Sequence, residues 1–296
     1  IDWRFWKRYE RFLMEERGLS ETSINKLDEL TDKILERLED PKREESWDRR
    51  GMSVGQIQSG KTSNYIGLVC KAADAGYNLI IILAGMHKSL RSQTQYRIDE
   101  GFLGFDTRLN RAFDKEKNLR MGVGALPGEE IIAVNSLTSS EDRGDFNRRV
   151  ASQVGVIPGG SDPVILVVKK NKSVLKNLIN WAVSVRGEED LELRKTIVRG
   201  IPLLVIDDEA DNASVNTNPI PLNENGQPLD DYDVSAINGQ IRKLLNSFEK
   251  SAYIGYTATP FANIFIFPQG ETTTYGEDLF PRDFIMNLPA PSNYIG

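Results

Sequence analysis

Two short stretches hold residues whose types and spacing point to chemistry. The first, Gly55-Gln56-Ile57-Gln58-Ser59-Gly60-Lys61-Thr62, matches G-x-x-x-x-G-K-[ST] in full. It follows a short apolar run and opens a helical pattern, which is the context the motif requires. Glycines let the backbone curl, so that successive N–H groups and the positive end of the following helix face phosphate oxygens. Gly55, Ser59, Gly60, Lys61, Thr62 and Ser63 are therefore the candidate nucleotide-binding residues. Lys61 would reach the β and γ phosphates, and Thr62 would offer its hydroxyl to magnesium, a cation that takes oxygen ligands and keeps several waters.

The second stretch is Leu203-Leu204-Val205-Ile206-Asp207-Asp208-Glu209-Ala210-Asp211, an apolar run that ends in acids. In a parallel sheet, a carboxylate at the C-terminal end of a strand lies beside ligands bound at that edge. Asp208 becomes the second candidate metal residue after Thr62, holding magnesium through water. Glu209 would orient or deprotonate an attacking water, and with Lys61 it makes up the candidate catalytic pair. An acidic cluster after a strand is by itself commonly a solvated loop; the phosphate loop upstream gives this one its meaning.

The elements that must position these residues are legible as alternating patterns. From residue 51 onward, short β-rich runs alternate with helical stretches, as in a parallel sheet with crossover helices. The spacing predicts strands over 52–54, 79–84, 131–134, 163–168, 202–206 and 252–257, and helices over 61–75, 88–100, 139–153, 172–184 and 235–249. Residues 101–128, charged and punctuated by glycine, read as an insertion or long irregular connection. Residues 212–233, rich in Asn and Pro, read as an exposed loop. Ahead of the sheet, Trp3, Trp6, Tyr9 and Leu13 fall at helical spacing before Gly18, and Ser20 suits an N-cap with Leu19 and Ile24 as a staple. Ile24, Leu27, Leu30, Ile34 and Leu38 continue one apolar stripe, so a helical hairpin packed on the core is expected. The chain divides into a helical extension over 1–50 and an α/β domain over 51–296. It begins with Ile1 and shows no obvious closing element, as a fragment of a longer chain would.

Composition narrows the function classes. With 40% hydrophobic and 27% charged residues, the 296-residue chain can bury a sizeable core. Its net charge of -6 argues against wholesale binding to nucleic acid by a basic surface and leaves only a local basic track. Cys70 is the sole cysteine and His87 the sole histidine, so disulfides, Cys/His zinc sites, a Ser-His-Asp triad and HNH chemistry lack their parts. A reducing, cytoplasmic setting fits. The longest apolar runs are too short to span a bilayer, and no signal-peptide pattern opens the chain.

Asp208-Glu209-Ala210-Asp211 resembles the DEAD motif of superfamily-two helicases, with the phosphate loop as their first motif. Thr257-Ala258-Thr259, after the apolar run 252–256, resembles their third motif, which couples the ATP site to nucleic-acid movement. Leu90-Arg91-Ser92-Gln93-Thr94 resembles the region after motif Ia, where such enzymes touch the nucleic-acid backbone. Arg91 and Gln93, together with Lys169 and Lys170 at the end of the 163–168 run, are accordingly candidate nucleic-acid contacts. A narrower likeness rests on Gln58 to Tyr65, Ile206 to Asp211, Gly255-Tyr256-Thr257-Ala258-Thr259-Pro260-Phe261-Ala262-Asn263 and Leu279-Phe280-Pro281-Arg282-Asp283-Phe284. These runs are similar to the bacterial endonuclease Z-one domain family, helicase-like ATPases found near restriction and phage-defence genes.

The resemblance implies a RecA-like P-loop NTPase fold, a parallel sheet sandwiched by helices with an amino-terminal helical extension. It implies ATP and Mg2+ as ligands, DNA or RNA as polymer partner, defence-system proteins as further partners, and no membrane. It also implies a second RecA-like domain, whose arginines this chain lacks, so ATP hydrolysis by the chain alone should be weak. The phosphate loop carries no base preference, and the helicase likeness is what points to ATP. Two other readings stay open: a nucleotide-dependent switch or scaffold without translocation, and an ATP-dependent endonuclease subunit. For the last, the nearest metal constellation, Glu192-Leu193-Arg194-Lys195, has the wrong spacing.

Overall fold

The computed structural model describes residues 1–55, 60–130, 132–191, 193–216, 235–266, 271–272 and 275–289. Ser59, with Gln56 and Gln58, lies outside the described residues, as do Ile131, Glu192 and most of the Asn/Pro-rich 212–233 stretch.

Among the described residues, seven strands form one sheet. In chain order they are β1 (Trp47–Val54), β2 (Leu79–Ala84), β3 (Asn135–Ser136), β4 (Val164–Val168), β7 (Leu203–Asp208), β8 (Lys250–Thr257) and β11 (Phe284–Asn287). The spatial order is β11-β1-β8-β7-β2-β4-β3, and every pairing in it is parallel. Two small antiparallel hairpins lie apart from it, β5 (Gly187–Asp190) with β6 (Lys195–Val198) and β9 (Glu271–Thr272) with β10 (Gly276–Glu277). The helices are α1 (Arg4–Glu15), α2 (Glu21–Leu38), α3 (Lys61–Ala75), α4 (Lys88–Ile98), α5 (Arg148–Val154), α6 (Lys172–Arg186), α7 (Ala236–Asn246) and α8 (Phe261–Ile264).

Strand alternation splits the core into two faces. Ile80, Ile82, Leu204, Ile206, Ala252 and Ile254 pack with α1, α2 and α3 on one side, while Leu79, Ile81, Leu83, Leu203, Val205 and Tyr253 pack with α6 and α7 on the other. Strands buried on both faces read as continuous apolar runs, which is why 79–84 and 163–168 were legible. This is an α/β protein with a parallel sheet covered by helices on both faces.

The helical hairpin is part of that core. Ser20 caps α2 through the backbone N–H of Ser23, and Gly18 turns the chain with a left-handed φ of 66°. Asp74 on α3 accepts the free N–H groups of Phe5 and Trp6 at 3.0 Å, capping α1 from another element. Buried Lys71 on α3 reaches Asp28 Oδ1 at 2.6 Å and Asp32 Oδ1 at 2.5 Å on α2, and sits 4.5 Å from the Trp6 ring centre.

Several expected boundaries move. β1 begins at Trp47, so a division at residue 50 falls inside a strand. Residues 132–134 are not a strand, because the edge ladder is only the two residues of β3, paired with Val164 and Ile165; Ile132 and Val134 are nonetheless buried. The helix expected over 139–153 starts only at Arg148, capped by Asn147, because a tight turn with Ser139 N to Gly144 O at 2.8 Å precedes it. The 88–100 helix passes at Asp99 into a π-helical turn, Asp99–Leu103, in place of ending freely. That turn and the connection after it are irregular yet interior, since Phe102, Leu103, Phe105, Val123 and Leu126 enter the α3-side core. The hairpin β5–β6 and the edge strand β11 had no counterpart in the sequence reading.

Lys71→Ala removes two ion pairs to half-exposed carboxylates and a cation–π contact while leaving α3 itself intact. It should lower the unfolding free energy by about 1–3 kcal/mol in urea titration, with the parallel sheet retained in circular dichroism.

Candidate nucleotide site

All seven strands of the sheet run the same way, so their C-terminal ends share one edge. Register places Val54 opposite Thr257, Tyr256 opposite Asp208, and Asp208 opposite Ala84. Gly55 leaves β1 bonded through its N–H to Thr257 O at 2.9 Å. Gly60 then turns into α3 with φ 74°, a left-handed conformation that favours glycine, and its Cβ position is open space. Lys61 Nζ donates to Gly55 O at 3.1 Å, closing the loop across its two ends. Lys61, Thr62 and Ser63 are all half-buried in the first turn of α3. Tyr9 of α1 donates to Ser63 O at 3.4 Å, and Tyr256 of β8 donates to Asn64 Oδ1 at 2.8 Å, so this helix start is held from two elements.

The acidic motif is sorted by strand alternation. Leu203, Val205 and Asp207 face the α6–α7 side, while Leu204, Ile206 and Asp208 face α3. Asp207 is fully buried, pairs with Lys170 Nζ at 2.6 Å and accepts the Tyr253 hydroxyl at 2.7 Å. The Asp208 carboxylate, on the α3 side, receives no hydrogen bond from any described residue. Burial, and next the neighbouring Glu209, push its pKa up, against the pull of Lys170 and Lys61. A half-buried carboxylate within electrostatic reach of Lys61 has the chemistry for a cation that keeps most of its waters and takes one or two protein ligands. Thr62 and Asp208 are the residues that would hold magnesium. No cluster of three or more His, Cys, Asp or Glu side chains able to enclose a metal occurs among the described residues.

Glu209 is exposed, with a left-handed φ of 56°. Non-glycine residues in that region cost about 1–3 kcal/mol and persist where surroundings over-determine them. Here the constraints are visible: Glu209 O accepts from Lys170 Nζ at 2.6 Å and from Asn212 N at 2.8 Å. Ala210 N donates to Tyr256 O at 3.0 Å, and Asn263 Nδ2 donates to Ala210 O at 3.1 Å. Ala210 also packs where a side chain on Gly255 would stand, 2.8 Å from that Cβ position.

Asp211 joins the two motifs. Its carboxylate accepts from Thr257 Oγ1 and Thr259 Oγ1, both at 2.6 Å, while Thr259 N donates to Thr257 Oγ1 at 2.9 Å. Burial opposes ionisation of Asp211, but the two hydroxyl donors outweigh it and hold its pKa below the usual value. Ala258 sits half-buried between them.

Two expected nucleic-acid contacts are corrected. Arg91 is fully buried, its guanidinium bonded to the carbonyls of Ser139 and Glu141, where it fastens α4 to the turn before α5. Lys170 is internal as well, tying Asp207 to the backbone at Glu209 and Asn212 (Nζ to Asn212 O, 3.0 Å). Gln93 is exposed on α4, and Lys169 is half-buried at the end of β4. Sequence reasoning passed over Tyr253 and Arg97, the latter donating to Thr62 Oγ1 at 3.1 Å, and gave Asn64 and Asn263 no individual role although both fall in the runs it singled out. One signal was present for Lys170: an aspartate inside an apolar strand needs a buried cation.

A parallel-sheet α/β protein with a phosphate-loop sequence and an acid-tipped strand on one edge is the class this geometry defines. No protein-family model matches the chain, and no curated protein does.

Lys170→Met strands Asp207 as an unpaired buried charge. It should cost about 3–5 kcal/mol of stability, measured by chemical denaturation, whereas a surface phosphate contact would leave the unfolding midpoint unchanged.

Proposed function

We propose that this chain is the ATP-binding motor half of a superfamily-two helicase or translocase acting on DNA, in bacterial restriction or phage defence. The observation that carries the proposal is the Asp211 bridge: the acid motif and Thr257-Ala258-Thr259 are one hydrogen-bonded unit beside Gly55 and Lys61. A change at the phosphates that moves Glu209 moves Asp211, and with it the Thr259 loop, which is how nucleotide state would be passed outward.

In this reading the phosphate loop binds and orients the nucleotide, Lys61 leaving Gly55 O for the β and γ oxygens. Thr62 and Asp208 hold magnesium, which supplies charge neutralisation of the phosphates when bound. Glu209, exposed and aimed by its constrained backbone, accepts the proton of the attacking water. Burial of Tyr65 and Tyr256 between α3 and β8 keeps the floor of the site rigid.

A second reading, a nucleotide-operated switch that does not translocate, is favoured by one finding. Arg91 and Lys170, two of the four cations and amides assigned to nucleic acid, are consumed by internal bonds. The two readings part on stimulation of turnover by polymer.

ATP turnover by the full-length protein should rise on addition of single- or double-stranded DNA, and Lys61→Ala should abolish both nucleotide binding and that rise. Turnover indifferent to polymer would select the switch. Glu209→Gln should keep ATP binding within about twofold and lower hydrolysis by about a hundredfold or more; normal hydrolysis would require a different base.

A further inference from the structure

Arg97 occupies the last turn of α4, and its NH1 donates to Thr62 Oγ1 at 3.1 Å. The side chain is exposed and makes no ion pair among the described residues. The acids around it are engaged elsewhere. Glu100 pairs with Arg17 at 2.6 Å, Asp99 accepts from Gln95 at 2.9 Å and Thr107 at 2.6 Å, and Asp106 pairs with Arg108 at 2.6 Å. A guanidinium without a carboxylate, resting on a neutral hydroxyl beside a phosphate loop, holds its anion-binding capacity in reserve.

We propose that Arg97 is a phosphate-binding residue of the nucleotide site, a guanidinium supplied in cis to the terminal phosphate of a nucleoside triphosphate. The inference rests on the nucleotide-site reading of Lys61 and Thr62. Thr62 is the residue that would hold magnesium at the terminal phosphates, so a group already bonded to its hydroxyl stands at the place where those phosphates would bind. Charge gives the direction of movement. Magnesium and Lys61 together do not neutralise a triphosphate, and a guanidinium–phosphate hydrogen bond is about twice as strong as one to a neutral hydroxyl. Arg97 therefore exchanges Thr62 for phosphate when a triphosphate arrives. A diphosphate lacks the group it would meet. Discrimination between the two is then a property of this chain's own arginine, separate from any arginine of another domain.

The test uses a non-hydrolysable ATP analogue and ADP, each with magnesium, and binding affinity as the readout. Parent protein, Arg97→Ala, Arg97→Lys and Lys61→Ala are compared at matched thermal midpoints. Arg97→Ala should weaken the triphosphate analogue by about tenfold and ADP by twofold or less, with Arg97→Lys recovering part of the difference through charge without the planar fork. Equal losses for both nucleotides, or none, in Arg97→Ala overturn the inference; if Lys61→Ala has meanwhile lost binding, the phosphate-loop reading survives that failure. Retention of triphosphate binding by Lys61→Ala would bring down both. Inorganic tripolyphosphate against pyrophosphate repeats the comparison without the base, and a preference unaffected by Arg97→Ala there counts against the inference in the same way.

Discussion

The structure depends on one constraint, the parallel alignment of β1, β8, β7 and β2. Parallel strands cannot be joined by tight hairpins, so each return crosses a face of the sheet and every strand end that carries chemistry emerges at the same edge. β8 lies between β1 and β7, which puts Thr257 beside Gly55 and Tyr256 beside Asp208. Residues far apart along the chain come within hydrogen-bond reach with no long loop to bring them there.

Within that edge, the acid motif divides its labour by side-chain direction. Asp207 turns to the α6–α7 face and is neutralised by Lys170, while Asp208 turns to α3 and is half-buried. Asp211 holds the two threonines. The buried pair does more than satisfy charge, because the same ammonium also grips the carbonyls of Glu209 and Asn212 and fixes the left-handed turn that projects Glu209 outward. Removing water from such a pair costs several kcal/mol per ion, and the return is a defined loop geometry at the place where chemistry is proposed.

The α3 face is braced from behind. Asp74 caps α1, Lys71 clamps α2, and the π-turn after α4 inserts Phe102 into the same cluster. The amino-terminal hairpin is therefore continuous with the core that supports the phosphate-loop helix, and Tyr9 reaches as far as Ser63. Each fully buried Leu, Ile or Phe in this layer contributes about 1.5–3 kcal/mol, which anchors α3 from its buried side.

By itself the sequence determined the local periodicities: α3 and β2 fall where predicted to the residue, and α6 and α7 to within a few. Strong apolar patterns, capping residues and glycines act over one or two turns, so they need no distant partner to be read. It also singled out Lys61, Thr62, Asp208, Glu209 and the Thr-Ala-Thr run as a set, since a motif is a statement about spacing along the chain. Only the tertiary structure decided which charged groups face outward. Arg91 and Lys170 look like surface cations in the sequence, yet their partners, Ser139, Glu141 and Asp207, lie on other elements and are supplied by packing. The same holds for the short edge strand β3 and for β11, whose existence depends on a neighbour offering a free edge, and for Arg97 at the end of α4, whose hydrogen bond to Thr62 at the start of α3 joins residues 35 apart in sequence.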